Sequence, residues 1–163
     1  MTTSAKGKDF IKQFEGFRNT MYLDAGGLPT IGYGHLIKPG EEFYNNTTIS
    51  KAQGDMLFTD DLKQFEAAVN TSVVKQLNQN QFDALVSLAY NIGAGAFADS
   101  TVVKRINTNA TVTDITTNWQ RWNKVNGVLN AGLLNRRNAE IEVYFSGYEP
   151  SETRKKKSGF SLV

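Results

Sequence analysis

The 163-residue chain has no cysteine, one histidine, three prolines and no long uncharged apolar run. Without thiols, a disulfide framework, a thiolate metal site and a cysteine nucleophile are all excluded. A single histidine, His35, argues against a multi-histidine zinc site and a Ser/His triad. Neither metal-ligand spacing nor a phosphate-binding loop is present, so no cofactor and no metal are expected. Lys6, Lys8, Asp9, Lys12 and Glu15 break up the first thirty residues and leave no segment apolar enough for secretion or membrane insertion. The expectation is a protein that accumulates in the cytoplasm of the cell that makes it. A formal net charge of +2 is too small to indicate nucleic acid as the partner, although it permits a polyanionic substrate.

What remains is ordinary globular composition, 40% hydrophobic and 21% charged, in a length that fits one folding unit or two small lobes around a shared core. Ser4 can cap a first helix carrying Phe10, Ile11 and Phe14, with Gly16 as its stop, which puts Glu15 in the last turn. From Phe17 to Leu36, short β-like pieces are broken by Ala25-Gly26-Gly27, Pro29, Gly32 and Gly34. This predicts a small antiparallel sheet, ended by Pro39-Gly40.

Ser50 and Gln53 have capping-box spacing ahead of Met56, Leu57, Phe58, Leu62, Phe65 and Val69, a helix long enough to bridge two lobes. Asn78 and Gln81 repeat the signal before Phe82, Leu85, Val86 and Ala89, the expected central core helix, closed by Gly93 and Gly95. Further helices are predicted after Ser100, between Thr113 and Trp122, and from Leu134 to Phe145, with a loop over Gly127 to Gly132. The fold class is therefore α+β, with everything beyond the sheet helical. Trp119 and Trp122, three apart, read as core anchors on one helical face rather than a ligand platform. After Pro150 comes a Ser/Thr segment with Arg154, Lys155, Lys156 and Lys157, a solvated tail or an attachment to anionic polymer or lipid.

Glu15, Asp24 and Thr30 stand in the order E-x8-D-x5-T. The glutamate ends a helix, the aspartate enters a Gly-Gly turn, and the threonine begins the returning strand. If Gly26-Gly27 form a two-residue turn, Leu23 faces Thr30 and Asp24 faces Pro29, so both polar groups overlook one cleft. Hydrolysis of a glycosidic bond needs a carboxylic acid to protonate the leaving oxygen and a second carboxylate to activate water or stabilise positive charge. A helix C-terminus disfavours negative charge on Glu15 by only ~0.3 to 1 kcal/mol, so burial must supply the rest. Asp24 on an exposed turn is expected to stay ionised.

Together with that triad, the segments Thr30-Ile31-Gly32-Tyr33-Gly34-His35-Leu36, Ala84-Leu85-Val86-Ser87-Leu88-Ala89-Tyr90-Asn91-Ile92-Gly93 and Gly132-Leu133-Leu134-Asn135-Arg136-Arg137 resemble the phage lysozyme family of endolysins. The resemblance runs from about Lys6 to Phe145 and does not cover the tail. It implies a lysozyme-like domain over residues 1–150: an N-terminal lobe of about 15–50, a linking helix of about 50–70, and a helical C-terminal lobe of about 71–150 on which residues 1–14 pack. Residues 151–163 would be a basic flexible tail.

The implied activity is hydrolysis of the β-1,4 bond between N-acetylmuramic acid and N-acetylglucosamine in peptidoglycan, with inversion. Glu15 would be the general acid, while Asp24 and Thr30 would hold the attacking water. By the same resemblance Leu36, Tyr90 and Asn91 would line sugar subsites, Arg136 would orient Glu15, and His35 would pair with Asp61. Tyr90 is also readable as a core aromatic, Asn91 as a helix-end residue, and Arg136-Arg137 as a solvated pair. The implied protein is a monomer that reaches the wall of its host through a separate holin. A lytic transglycosylase and a wall-binding relative without turnover are the competing readings.

Overall fold

In the computed structural model, which describes residues 1–148, Ser4 caps helix α1 (Ala5–Glu15) by accepting the Gly7 N–H at 3.0 Å. The Ser4 side chain and N–H in turn donate to Asp83, a fully buried residue. Gly7 allows this approach, because a Cβ there would lie 2.5 Å from the Asp83 carboxyl carbon. A carboxylate set against a helix N-terminus satisfies its orphan N–H groups and complements the helix dipole. Gly16, with φ 68°, ends α1 by donating to the Lys12 carbonyl, and the chain passes directly into the sheet.

The sheet contains β1 (Arg18–Leu23), β2 (Pro29–Gly32) and β3 (His35–Leu36), antiparallel and in chain order. A bulge in β1 lies between the Arg18–Gly32 and Tyr22–Thr30 pairs. A 3-10 turn over Glu42–Asn46 follows. Ser50 and Gln53 then form the expected capping box at the start of α2 (Lys51–Ser72), which contacts β2 and β3 as well as the helices beyond.

The core helix α3 (Gln79–Ile92) opens with the Asn78–Gln81 capping box, and Phe82 through Ala89 are all buried. It packs against α1, α2, α4 (Ala94–Asp99) and α7 (Ala131–Ser146). Helices α5 (Thr101–Asn107) and α6 (Val112–Gln120) complete the layer, with Trp119 fully buried. Among the described residues no helix is long and apolar enough to cross a membrane. The proposed tail, residues 151–163, lies outside the described residues.

Beyond the sheet the chain is not wholly helical. Lys124–Val125 (β4) and Val128–Leu129 (β5) form a second two-stranded ribbon. Asn126 and Gly127 turn it with φ of 49° and 78°, the two positive values that a tight hairpin with right-handed twist requires. The last helix starts three residues before Leu134, because Asn130 caps it through the Leu133 N–H. Gly93 ends α3, but Gly95 lies within α4 rather than in a loop.

His35, 3% exposed, holds the sheet to its surroundings. Its Nδ1 lies 2.8 Å from Asp61 on α2, as expected, and its Nε2 lies 2.9 Å from Glu41, a partner the sequence did not suggest. Only the imidazolium donates to both. The hydrogen bond to Asp61 pushes His35 above its ordinary value, burial opposes it, and Glu41 adds to the rise. Burial pushes Glu41 up, yet the Lys38 N–H and His35 together hold it below the usual carboxylate range.

The signs differ for the two groups. The stability from His35 is complete below its unfolded value and is lost as pH rises through the elevated folded one; that from Glu41 is lost as pH falls through its lowered value. Asp61→Asn is expected to cost about 1.5–3 kcal/mol near neutrality, the range for hydrogen bonds to charged groups. The deficit should shrink as alkali discharges the imidazolium of the parent protein. Thermal melts of the two proteins from pH 4 to 10 check this; superimposable curves would contradict the clamp.

Candidate active site

Glu15 reaches the site because α1 ends on it, and its side chain is only 18% exposed. Arg136 of α7 donates from Nη1 to Glu15 Oε1 at 2.7 Å, with its guanidinium over the Phe14 ring at 5.2 Å. The other oxygen faces the turn between β2 and β3: a Cβ on Gly34 would sit 3.2 Å from Glu15 Oε2 and 3.6 Å from the Tyr90 hydroxyl. Gly34 also has φ of 82°, a conformation that any side chain would strain. The carboxyl is thus held between a cation and a side-chain-free turn.

The β1–β2 connection corrects the expected hairpin register. Leu23 pairs with Pro29 and Tyr22 with Thr30, so the loop is longer than Gly26-Gly27 alone. The cause is the Asp24 side chain. Its Oδ1 accepts the Gly26 and Leu28 N–H groups at 2.9 and 2.8 Å, while the backbone closes through Asp24 N–H to the Leu28 carbonyl. An aspartate that hydrogen-bonds the backbone ahead of it builds its own turn.

Thr30 is 2% exposed and its hydroxyl donates to the Leu28 carbonyl at 2.9 Å, which orients the oxygen lone pairs. Tyr22, directly opposite Thr30 in the ladder, shares its face of the sheet. Burial raises the Tyr22 phenol above its ordinary value; Glu15 and Asp24 both add to the rise, and Arg18, 4.8 Å over the ring, opposes it. Both carboxylates of the candidate triad therefore act on one phenol.

The remaining candidates line two cavities. Leu36 and Tyr90 line one of about 340 Å³ together with Gly34, Asp61 and Phe65. Tyr90 is also a packing residue: its ring lies 5.0 Å from Phe65 and 5.5 Å from Phe58, and its hydroxyl donates to the Tyr33 carbonyl. Burial, then Glu15 and Asp61, push its phenol far up. Asn91, exposed at the end of α3, lines a different cavity of about 630 Å³ with Ala25, Trp122, Lys124 and Arg137. The first cavity adjoins Glu15 through Gly34, and the second adjoins Asp24 through Ala25.

Arg136 and Arg137 are not a solvated pair. They are 5% and 0% exposed, and both contact Glu140, itself fully buried. Glu140 escaped the sequence reading, although its position three and four residues beyond the arginines is the spacing at which helical side chains meet. Trp119 is a core residue and Trp122 packs against the same core, as expected of both, but helix α6 stops at Gln120, so Trp122 does not share a helical face with Trp119 and also borders the larger cavity.

Residues 12–140 match the family model described as phage lysozyme. An endolysin of Bacillus phage PZA is 36% identical over 156 residues, 94% of this chain. The chain spans 59% of that relative's length. Among solved structures, the endolysin from Escherichia coli O157:H7 phage FAHEc1 aligns with a TM-score of 0.83 and 39% identity, over 93% of this chain and 98% of its own. The muramidase domain of SpmX from Asticaccaulis excentricus aligns with a TM-score of 0.79 and 34% identity, over 89% of this chain and 98% of its own.

If Gly34 is kept side-chain-free to seat Glu15, Gly34→Ala has a defined phenotype. A misplacement of about 1 Å can cost on the order of 100-fold in rate, whereas the backbone strain costs only about 1–2 kcal/mol. Clearing of a peptidoglycan suspension is therefore expected to fall at least tenfold while the protein still melts cooperatively. Undiminished clearing would mean that the turn does not hold the carboxyl.

Proposed function

The chain belongs to the phage lysozyme family, and on that premise we propose that it is a muramidase hydrolysing the β-1,4 bond between N-acetylmuramic acid and N-acetylglucosamine in peptidoglycan. The observation that carries the reading is the seating of Glu15: a partly buried carboxyl at a helix end, held by Arg136, set against the Gly34 turn of the sheet and acting with Asp24 on the one Tyr22 phenol opposite Thr30. In this reading Glu15 protonates the departing glycosidic oxygen. Asp24 Oδ1 is committed to the loop N–H groups, which leaves Oδ2 to accept a proton from water, and the Thr30 oxygen, its own proton given to Leu28, accepts the second hydrogen. Water so held attacks the anomeric carbon opposite the acid, giving inversion.

Covering of the cleft by the glycan would remove water from around Glu15 and the scissile oxygen. Sugars would lie across both cavities, with Leu36 and Tyr90 at one end and Asn91 at the other. The apolar faces and amide suit sugar rings and N-acetyl groups. The division into lobes of about 15–50 and about 71–150, joined by a helix of about 50–70, is part of this proposal. The contacts of α2 with both the sheet and α3 support it. On the same premise the enzyme works as a monomer without cofactor, is made in the host cytoplasm, and reaches the wall through a separate holin to cause lysis.

Glu15→Gln, which keeps the shape of the side chain and removes its acid, is expected to lower wall clearing by several orders of magnitude with pelleting onto wall retained. Mass spectrometry of the parent enzyme's digest should show reducing-end muramic acid. Equal clearing by the variant would remove Glu15 from the mechanism, and anhydro-muramic products would mean a lytic transglycosylase.

A further inference from the structure

Behind the proposed acid lies a chain of alternating charge, Glu15–Arg136–Glu140–Arg137, with two groups of each sign and a net charge of zero. Glu140 is its hub. Its Oε1 accepts Ser87 Oγ at 2.8 Å, Arg137 Nη2 at 2.8 Å and Arg136 Nε at 3.3 Å, while its Oε2 accepts Trp119 Nε1 at 2.9 Å. These donors come from α3, α6 and α7, and Glu140, Arg137, Ser87 and Trp119 are each fully buried. A carboxylate placed so deep is costly to desolvate and does no better for packing than an apolar side chain of its size.

What the arrangement accomplishes is directional. With Nε taken by Glu140 and Nη2 turned to the Ser87 carbonyl at 3.4 Å, Arg136 has Nη1 left for Glu15, at 2.7 Å.

We propose that Glu140 is a positioning residue for the general acid: it fixes the guanidinium of Arg136 from behind, and its charge limits how strongly Arg136 holds Glu15 as the anion. The proposal rests on reading Glu15 as the proton donor. Glu15 is faced by Arg136 from α7, Tyr90 from α3, Tyr22 from β1 and the Gly34 turn of the sheet. Asp24 and Arg18 act on the same Tyr22, and Arg137 feels the Glu15 charge through the cluster. Of these groups Arg136 is the one in direct ion-pair contact with Glu15, and Glu140 is the group that balances Arg136. Without Glu140 the cluster carries +1 and favours the Glu15 anion; without Arg137 it carries −1 and disfavours it.

The test is the pH profile of kcat for wall hydrolysis by Glu140→Gln, Arg137→Gln and the double variant, with thermal melts to verify folding. In Glu140→Gln the alkaline limb should move to lower pH by about one unit, and in Arg137→Gln to higher pH by a similar amount, the size expected for a unit charge at such range in a partly screened interior. In Glu140→Gln kcat should fall at least tenfold while KM holds, because Glu140 is fully buried and lines neither cavity; Arg137 borders the larger cavity, so its variant is judged on the limb alone. A role confined to stability would lower the melts without moving the limbs in opposite directions.

Limbs that stay in place in folded single variants, or move the same way in both, overturn the proposal. Should both single variants fail to fold, the double variant, which removes one charge of each sign, decides. A tenfold or greater loss of kcat with the limb unchanged supports the positioning role, and parental kcat overturns it. Glu15→Gln runs alongside as the separating control. If it clears wall normally, the reading of the acid has failed; if it is inactive while the limbs are unmoved, only the role of Glu140 has failed.

Discussion

One guanidinium–carboxylate contact, Arg136 Nη1 to Glu15 Oε1 at 2.7 Å, joins the end of α1 to α7 and fixes the geometry on which the proposed chemistry depends. A glutamate at a helix terminus has several side-chain rotamers within reach of solvent, and only one of them serves a cleft. The contact selects it, Phe14 beneath Arg136 supports it, and Gly34 leaves room for it. Because Arg136 is itself 5% exposed, its charge needs more than one partner. That need accounts for the buried Glu140 and for the polar atoms of Ser87 and Trp119 turned toward the cluster.

The rest of the fold holds the sheet against this fixed point. Asp83 and Ser4 anchor the start of α1 on α3, so the position of Glu15 at its other end is set by the core. The His35 clamp ties β3 to α2 and to the Glu41 segment. The face of β2 that carries Thr30 therefore stands at a determined distance from the helices. Asp24 organises its own loop through two backbone N–H groups, so one side chain shapes the turn and presents a carboxylate oxygen at its tip. In the proposed mechanism this separates the duties of two carboxyls by their surroundings. Glu15 is partly buried beside a cation, while Asp24 lies in a loop whose N–H groups it accepts.

Local signals carried much of this into the sequence. Both capping boxes, the stop at Gly16, the sheet between Phe17 and Leu36 and the His35–Asp61 pair rest on short-range rules of capping, periodicity and turn composition, or on segments that resemble the family. The misreadings have specific causes. The hairpin register shifted because the Asp24 side chain competes for backbone N–H groups, which a count of turn residues ignores. The Asn126-Gly127 hairpin was visible as a dipeptide, but its strands are two residues long and lack the alternation that marks a strand. For Glu140 the helical spacing to Arg136 and Arg137 was legible, but its partners Ser87 and Trp119, 53 and 21 residues away, were not, and the Glu41–His35 contact crosses six residues of irregular chain that spacing rules do not specify.

With the proposed donor on one side of the scissile bond, the product's configuration reports whether water or the second carboxyl attacks from the other. Proton NMR of the newly formed reducing end, recorded within the first minutes of cleavage of a soluble glycan before mutarotation, tests it most directly. In the proposed mechanism, with Asp24 and Thr30 holding water, the α-anomer appears first from the β-linked substrate. Initial formation of the β-anomer would mean that the second carboxyl attacks the sugar instead of positioning water, and the central claim would not stand.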